Sequence, residues 1–393
     1  MLMKINPEQL NEAIASIGAH NLSLHIFQAK AQILPIKLID VRTPAANIIK
    51  QEMLGLGGDA VTHVATVLNE LKYVDVLLLG TRKHYNILIK KLEAMQYFGM
   101  KKIAEELQAL LNPAPLKTIL ADGRILTYEK MQVMGILNIT PDSFYEGSRI
   151  DLDQIVDVAG KMLEEGATIL DIGGESTRPG SAPVSEEEEI ARVIPAIEII
   201  HKNFPQAILS IDTTKAQVAR EALKAGVHIV NDILAFEADS EMLCVVKEFQ
   251  APVIIMHGGL AKDLQTGDYK DVVGEVAGYL YNRAKFLEEA GLTPDKIILD
   301  PGIGFGKNAS ENLKLMRDLE SFTSFGYPVL LASSRKSCIG KALGDLPAEE
   351  RLEGTLATSC QAVYAGINIV RVHDVKENVR AIRMLESIRC QEK

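Results

Sequence analysis

The sequence predicts a (β/α)8 barrel preceded by a smaller α/β domain, and three observations carry that prediction. From about residue 130 onward, continuous apolar runs rich in β-branched residues alternate with helical stretches, the pattern of a parallel sheet covered by helices. Eight such βα units fit into about 260 residues, close to the usual size of a closed barrel. The charge balance also changes along the chain: residues 1–125 hold 14 Lys+Arg against 11 Asp+Glu, and the remainder 28 against 41. The 393 residues therefore divide into 1–125 and 126–393. The seam is expected within 111–124, where two prolines and Asp122-Gly123 punctuate the chain. A doubly wound open sheet is the rival architecture for the second part.

In the first part, 36–41 and 74–80 read as buried strands, with helices expected at 44–55, 60–72, 83–96 and 99–111. Gly55, Gly57 and Gly58 read as a helix end and turn, because no phosphate-loop frame surrounds them. In the second part the strands are 133–138, 168–173, 208–212, 228–232, 252–257, 297–300, 328–332 and 368–372. Helices such as 153–165, 186–202, 214–225, 271–290 and 374–388 separate them.

Composition excludes several function classes. The net charge of −10 disfavours sequence-independent binding to nucleic acid or anionic membranes. Trp is absent and aromatics are 5%, so base-stacking platforms are not expected. No apolar run approaches the ~20 residues that span a bilayer. Cys244, Cys338, Cys360 and Cys390 share no metal-ligand spacing and read as reduced thiols of a cytoplasmic protein.

Most barrel strands end in a polar residue: Asn138, Asp171, Asp212, Asn231 with Asp232, His257, Asp300, and Arg371 with His373. A lone Asp at a strand end often just caps the next helix. A whole ring of them instead converges at the barrel mouth, where sites of this fold lie. Asp212, Asn231 and Asp300 suit a flat heterocycle with N–H groups along its edge. Lys336, Arg371 and His373 follow strands 7 and 8, the usual phosphate site, and Arg grips phosphate bidentately. Asn138 offers a neutral oxygen to Mg²⁺, which binds through few protein ligands plus substrate phosphates. The loops 140–151 and 173–185, with Phe144, Thr177 and Arg178, read as lids. GIGFGKN (302–308) fails as a P-loop because Asn308 stands where Ser or Thr is required. The run Glu186–Glu189 reads as dipole-complementing charge in a first helical turn.

With those residues in place, the second part resembles the dihydropteroate synthase family. GILNITPDSF (135–144), DIGGESTRPGS (171–181), SIDTTK (210–215), NDI (231–233), DPGIGFGK (300–307), SRKS (334–337) and RVHDV (371–375) match its motifs in order. The resemblance implies condensation of 6-hydroxymethyl-7,8-dihydropterin diphosphate with p-aminobenzoate. It implies that Asp212, Asn231, Asp300 and Lys336 hold the pterin, with Met256 beside them. It further implies that Asn138, Arg371 and His373 hold diphosphate and Mg²⁺. Thr177, Arg178 and Pro179 match the loop that builds the aminobenzoate site, which Phe144, Phe305 and Ser337 line. A homodimer and sulfonamide sensitivity are expected on the same ground. Two features depart from or lie outside the pattern: Gly258-Gly259 follows Met256-His257 where a second Met and a Gln are frequent, and 1–125 matches no familiar partner domain. The nearest rival, a pterin-binding methyltransferase, needs neither the STRPG loop nor the Arg/His/Lys cluster. A pterin-binding regulatory module would be expected to have lost motif residues.

Overall fold

The computed structural model describes residues 3, 5, 10–17, 24–139, 145–146, 149–175, 184–258 and 269–389. It divides into two units, Met1–Ala114 and Pro115–Lys393. In the first, strands β1 (Ile33–Arg42), β2 (Asp59–Thr62) and β3 (Tyr73–Thr81) form an antiparallel sheet in the order β1-β3-β2. Helices Thr43–Gly55, Arg82–Glu93 and Met100–Leu111 bury Ile49, Met53, Leu88, Leu92, Met100 and Leu107 in a common core with Val76 and Leu78.

The helix expected at 60–72 does not form. Val61, Val64, Val67, Leu68 and Leu71 have helical spacing, but residues 59–62 instead complete the sheet, with Ala60 opposite Leu78. Backbone pairing and burial of Ala60 beat the periodicity, and Val64 and Val67 are left exposed.

The boundary falls inside the stretch 111–124 where the seam is expected, though before the 125/126 division. The seam lies at Ala114/Pro115 rather than at 125/126. Asp122-Gly123 is the turn of a hairpin, β4 (Lys117–Ile119) with β5 (Ile125–Thr127), and not a linker. This hairpin belongs to the second unit, where Leu120 and Leu126 join the inward-facing residues of the barrel.

Eight parallel strands build that barrel: β6 (Gln132–Asn138), β9 (Ile169–Gly173), β10 (Ile208–Asp212), β11 (Ile229–Asp232), β12 (Val253–Met256), β13 (Ile297–Asp300), β14 (Leu330–Leu331) and β15 (Ile369–Val372). A two-residue ribbon, β7 (Tyr145–Glu146) with β8 (Arg149–Ile150), interrupts the first βα connection. The strand order β13-β12-β11-β10-β9-β6-β15-β14 is closed by a parallel bridge between Leu299 and Val329, which excludes the open sheet.

Inside, one layer is wholly apolar: Met134, Ile169, Ile229, Ile254, Ile298, Leu330 and Ile369, with Leu120 and Leu126 of the hairpin packed among them. Side chains alternate along a strand, so the next inward position lies two residues further on. Those positions read Ile136, Asp171, Asn231, Met256, Asp300, Ala332 and Arg371. The chemistry therefore sits one layer above a hydrophobic floor. No helix among the described residues is long and apolar enough to cross a membrane.

Candidate active site

Strand register brings the polar ends together. Asp212 of β10 lies opposite Asn231 of β11, and Met256 of β12 opposite Asp300 of β13. Asp171 on β9 is fully buried; it accepts from Asn231 Nδ2 at 3.1 Å and from Arg371 Nε. Arg371 Nη2 donates to Asp212 Oδ2 at 2.7 Å. One guanidinium thus bridges two carboxylates. Asp171 Oδ1 and Asp212 Oδ1 are buried with no hydrogen-bond partner among the described residues. A buried acceptor without a donor is costly in a finished core, and at a barrel mouth it is a candidate point of contact for a ligand's N–H groups.

Burial pushes the Asp212 carboxyl up to about 7, and the neighbouring Asp171 adds to the push while Arg371 opposes it. Burial likewise raises Asp300 to about 6, although Gly302 N–H donates to its Oδ1 at 2.8 Å. Lys336 follows β14; burial and the Arg371 charge pull its ammonium down to about 8. Its Nζ rests 4.1 Å from the centroid of the Phe305 ring, a cation–π contact. His373 Nδ1 lies 3.0 Å from Ser334 Oγ, which fixes the imidazole at the end of β15. Ser337 begins the helix Ser337–Ala342 and is exposed.

Two strand-end residues have purely local work. Asp232 accepts from the backbone N–H groups of Leu234 and Phe236 at 2.9 and 2.8 Å, capping a turn on the outer side of the barrel. Arg335 pairs with Asp374, so only Lys336 of that dipeptide joins the cluster. Phe144, Thr177, Arg178, Pro179 and Gly259 lie outside the described residues. Glu186–Glu189 do fill the first turn of the helix Glu186–Asn203; Glu189 is in addition buried and pairs with Lys215, which also holds Glu175.

Among the described residues no group of three or more His, Cys, Asp and Glu is placed to hold a metal ion. Asn138 is half-buried at the end of β6. A Cβ on Gly173 would stand 3.5 Å from its Oδ1 and 3.6 Å from the Asp212 Cβ, so the glycine keeps the space between these strand ends open. Asn138 could offer one neutral oxygen there, which fits a hard cation held mainly by phosphate oxygens and water.

Comparison with known proteins agrees with this geometry. Residues 134–373 match the family model described as pterin binding enzyme. The dihydropteroate synthase of Bacillus subtilis is 49% identical over 261 residues, covering 66% of this chain and 89% of that protein. A probable bifunctional folylpolyglutamate synthase/dihydropteroate synthase of Halobacterium salinarum is 39% identical and covers 89% of this chain but 42% of its own length. That share of the chain exceeds the barrel unit, so the match runs into the first unit. Among solved structures, Xanthomonas albilineans dihydropteroate synthase with 4-aminobenzoic acid superposes with a TM-score of 0.66 at 38% identity, covering 70% of this chain and 99% of that one. The Coxiella burnetii enzyme in complex with pteroic acid gives 0.64 at 38% identity, covering 70% and 100%. The Yersinia pestis enzyme with a sulfonamide drug gives 0.63 at 41% identity, covering 68% and 97%.

Proposed function

This chain belongs to the dihydropteroate synthase family of pterin-binding enzymes, and on that premise we propose how its own residues divide the work of the reaction. The enzyme is a transferase of folate biosynthesis. It condenses 6-hydroxymethyl-7,8-dihydropterin diphosphate with p-aminobenzoate to give 7,8-dihydropteroate and pyrophosphate. The observation that carries the assignment of roles is the pair of buried acceptors Asp171 Oδ1 and Asp212 Oδ1, which have no partner among the described residues and stand one layer above an apolar floor.

Asp212, Asn231 and Asp300 hold the N–H edge of the pterin, with Met256 against its face and Lys336 donating to a ring acceptor. Breaking the methylene C–O bond leaves the electron pair on pyrophosphate and positive charge on the carbon. Asp171 and Asp212 stabilise that charge electrostatically. The arylamine lone pair then forms the C–N bond, and the ammonium proton passes to water or to the departing diphosphate. No strong general base is required, because an arylamine is already a competent nucleophile toward a cation-like carbon. Arg371 has N–H groups beyond the two it gives to Asp171 and Asp212, and with His373 and Asn138 it receives the diphosphate. Mg²⁺, bound through Asn138 and phosphate oxygens, would neutralise charge on the leaving group.

Thr177, Arg178, Pro179, Phe144, Phe305 and Ser337 are assigned to the aminobenzoate end by the motif match. The sulfonamide bound by the Yersinia pestis enzyme supports the same sensitivity here. A cytoplasmic location is supported by the free thiols of Cys244, Cys338 and Cys360. A homodimer, expected from the family, is to be read by light scattering. The deciding experiment incubates purified protein with both substrates and Mg²⁺ and follows dihydropteroate and pyrophosphate together. Equimolar appearance is expected, and release of pyrophosphate without dihydropteroate would sink the assignment.

A further inference from the structure

Behind the pterin pocket lies a buried cation to which the reaction scheme gives no task. Lys307 is 7% exposed, and its Nζ donates to three backbone carbonyls: His257 O at 3.1 Å, Gly302 O at 3.0 Å and Phe305 O at 2.9 Å. An ammonium has three N–H donors, and here all three are spent on main-chain oxygens. Among the described residues it forms no salt bridge, so its position is set by the loop and not by an ion pair. Such a site is selective for a compact point charge on a long stem, which is what lysine supplies.

The carbonyls come from two places that must be kept in register. His257 leaves β12, while Gly302 and Phe305 belong to the loop after β13. That loop runs through Gly302 and Gly304 at φ +70° and +85°, conformations that L side chains rarely adopt. A Cβ on Gly302 would fall 2.2 Å from His257 O, and one on Gly304 3.0 Å from Lys336 Cδ. The loop is therefore wedged between the β12 exit and the Lys336 stem. Asn312 Oδ1 provides a second tether, accepting from Gly304 N–H at 2.7 Å. The loop presents one large side chain, Phe305, whose ring lies under Lys336 Nζ.

We propose that Lys307 is a positioning residue that acts through Phe305. By holding three carbonyls it fixes the Phe305 ring beneath Lys336, and the ring in turn aims the Lys336 ammonium into the pterin pocket. The consequence for substrate rests on the reading of Lys336 as a pterin ligand. The placement of the ring does not.

The test pairs Lys307→Met, alone and combined with Phe305→Leu, in the full-length protein. Its first readout needs no substrate: in protein labelled with ¹³C at lysine Cε, the Lys336 methylene protons are shifted upfield by the Phe305 ring. That shift is expected to vanish in Phe305→Leu and to collapse toward the ordinary lysine value in Lys307→Met. The second readout is the dissociation constant of 6-hydroxymethyl-7,8-dihydropterin diphosphate. Lys307→Met is expected to weaken it about tenfold, the factor that matches loss of one charge-assisted hydrogen bond. In the Phe305→Leu background the same substitution should change it by less than about twofold, since contacts in one chain of action are not additive. Equal losses in both backgrounds would mean that Lys307 merely supports the fold, and an unmoved Lys336 signal in Lys307→Met would overturn the proposal outright. If Lys307→Met does not fold, Asn312→Ala cuts the other tether of the same loop and must show the same dependence on Phe305. Failure of the unsubstituted protein to bind the diphosphate would count against the pterin assignment, while the spectroscopic result would still decide the role of Lys307.

Discussion

Arg371 sits between Asp171 and Asp212, and its single charge cannot satisfy both. Removing it leaves two buried carboxyls with no cation bonded to them, and breaking such a buried cluster costs about 3–5 kcal/mol when the groups are ionised. Arg371→Ala should therefore lower the melting temperature more at pH 8, where Asp212 is charged, than at pH 5, where it can take up a proton. An equal drop at both values would show that packing dominates. The unsubstituted protein has the same sign of dependence. Asp212 and Asp300 titrate near 7 and 6 in the folded chain, above their ordinary values. Between roughly pH 4 and pH 7 the folded state then holds more protons than the unfolded one, so stability contributed by these groups falls as pH rises. Asp212→Asn and Asp300→Asn should each flatten that fall, measured as melting temperature against pH. At this scale the sequence was informative about which residue types gather and silent about which way each points. Asn231 and Asp232 are adjacent in the chain, yet alternation sends one into the pocket and the other outward to cap a turn. Asp171 was visible as a strand-end carboxylate, but only the three-dimensional cluster reveals its bonds to Arg371 and Asn231. Lys307 left no usable signal, because its partners are all main-chain carbonyls.

At the scale of elements, the switch from floor to chemistry is a two-residue step repeated around the barrel. Ile169 is followed by Asp171, Ile229 by Asn231, Ile298 by Asp300 and Ile369 by Arg371. That step is readable in the sequence once the strands are placed, since parallel strands announce themselves as apolar runs. Hairpin β4–β5 was not readable as part of the barrel, because its strands are three residues each and its turn resembles a linker. Its role is nonetheless specific: Leu120 and Leu126 fill the floor, and the buried Lys296 Nζ donates to Ile119 O at 2.8 Å. Leu120→Ala should cost about 2–5 kcal/mol, the range for truncating a buried leucine, with little change in the KM of either substrate. A melting curve and steady-state kinetics on the same sample check both halves. A large rise in KM with unchanged stability would mean that the hairpin reaches the site. The misplaced helix at 60–72 has the opposite origin: its spacing was genuine, but the open edge of β3 needed a partner strand more than Val64 and Val67 needed burial.

For the molecule as a whole, every group assigned to the chemistry lies in Pro115–Lys393, and the first unit has its own core. Residues 115–393 expressed alone should keep their turnover, whereas a fragment beginning at 126 loses the hairpin and should melt at lower temperature or fail to fold. Comparing the two fragments with the full chain by calorimetry and activity tests this. A folded 115–393 fragment with turnover reduced by an order of magnitude would assign the first unit a part in the reaction. The match to the Halobacterium salinarum protein extends into the first unit, so that unit accompanies the barrel in at least one other chain.

The plugged floor also governs traffic. With Leu120 and Leu126 seated among the inward-facing isoleucines, described residues fill the floor and the barrel is a cup open at its lip. Whatever rests deepest, against Asp171, Asn231 and Asp300, must arrive before anything is laid over it. It must also wait for its cover to lift before it departs. The sequence of arrivals and exits is thereby written into the architecture, independently of how tightly any one ligand is held.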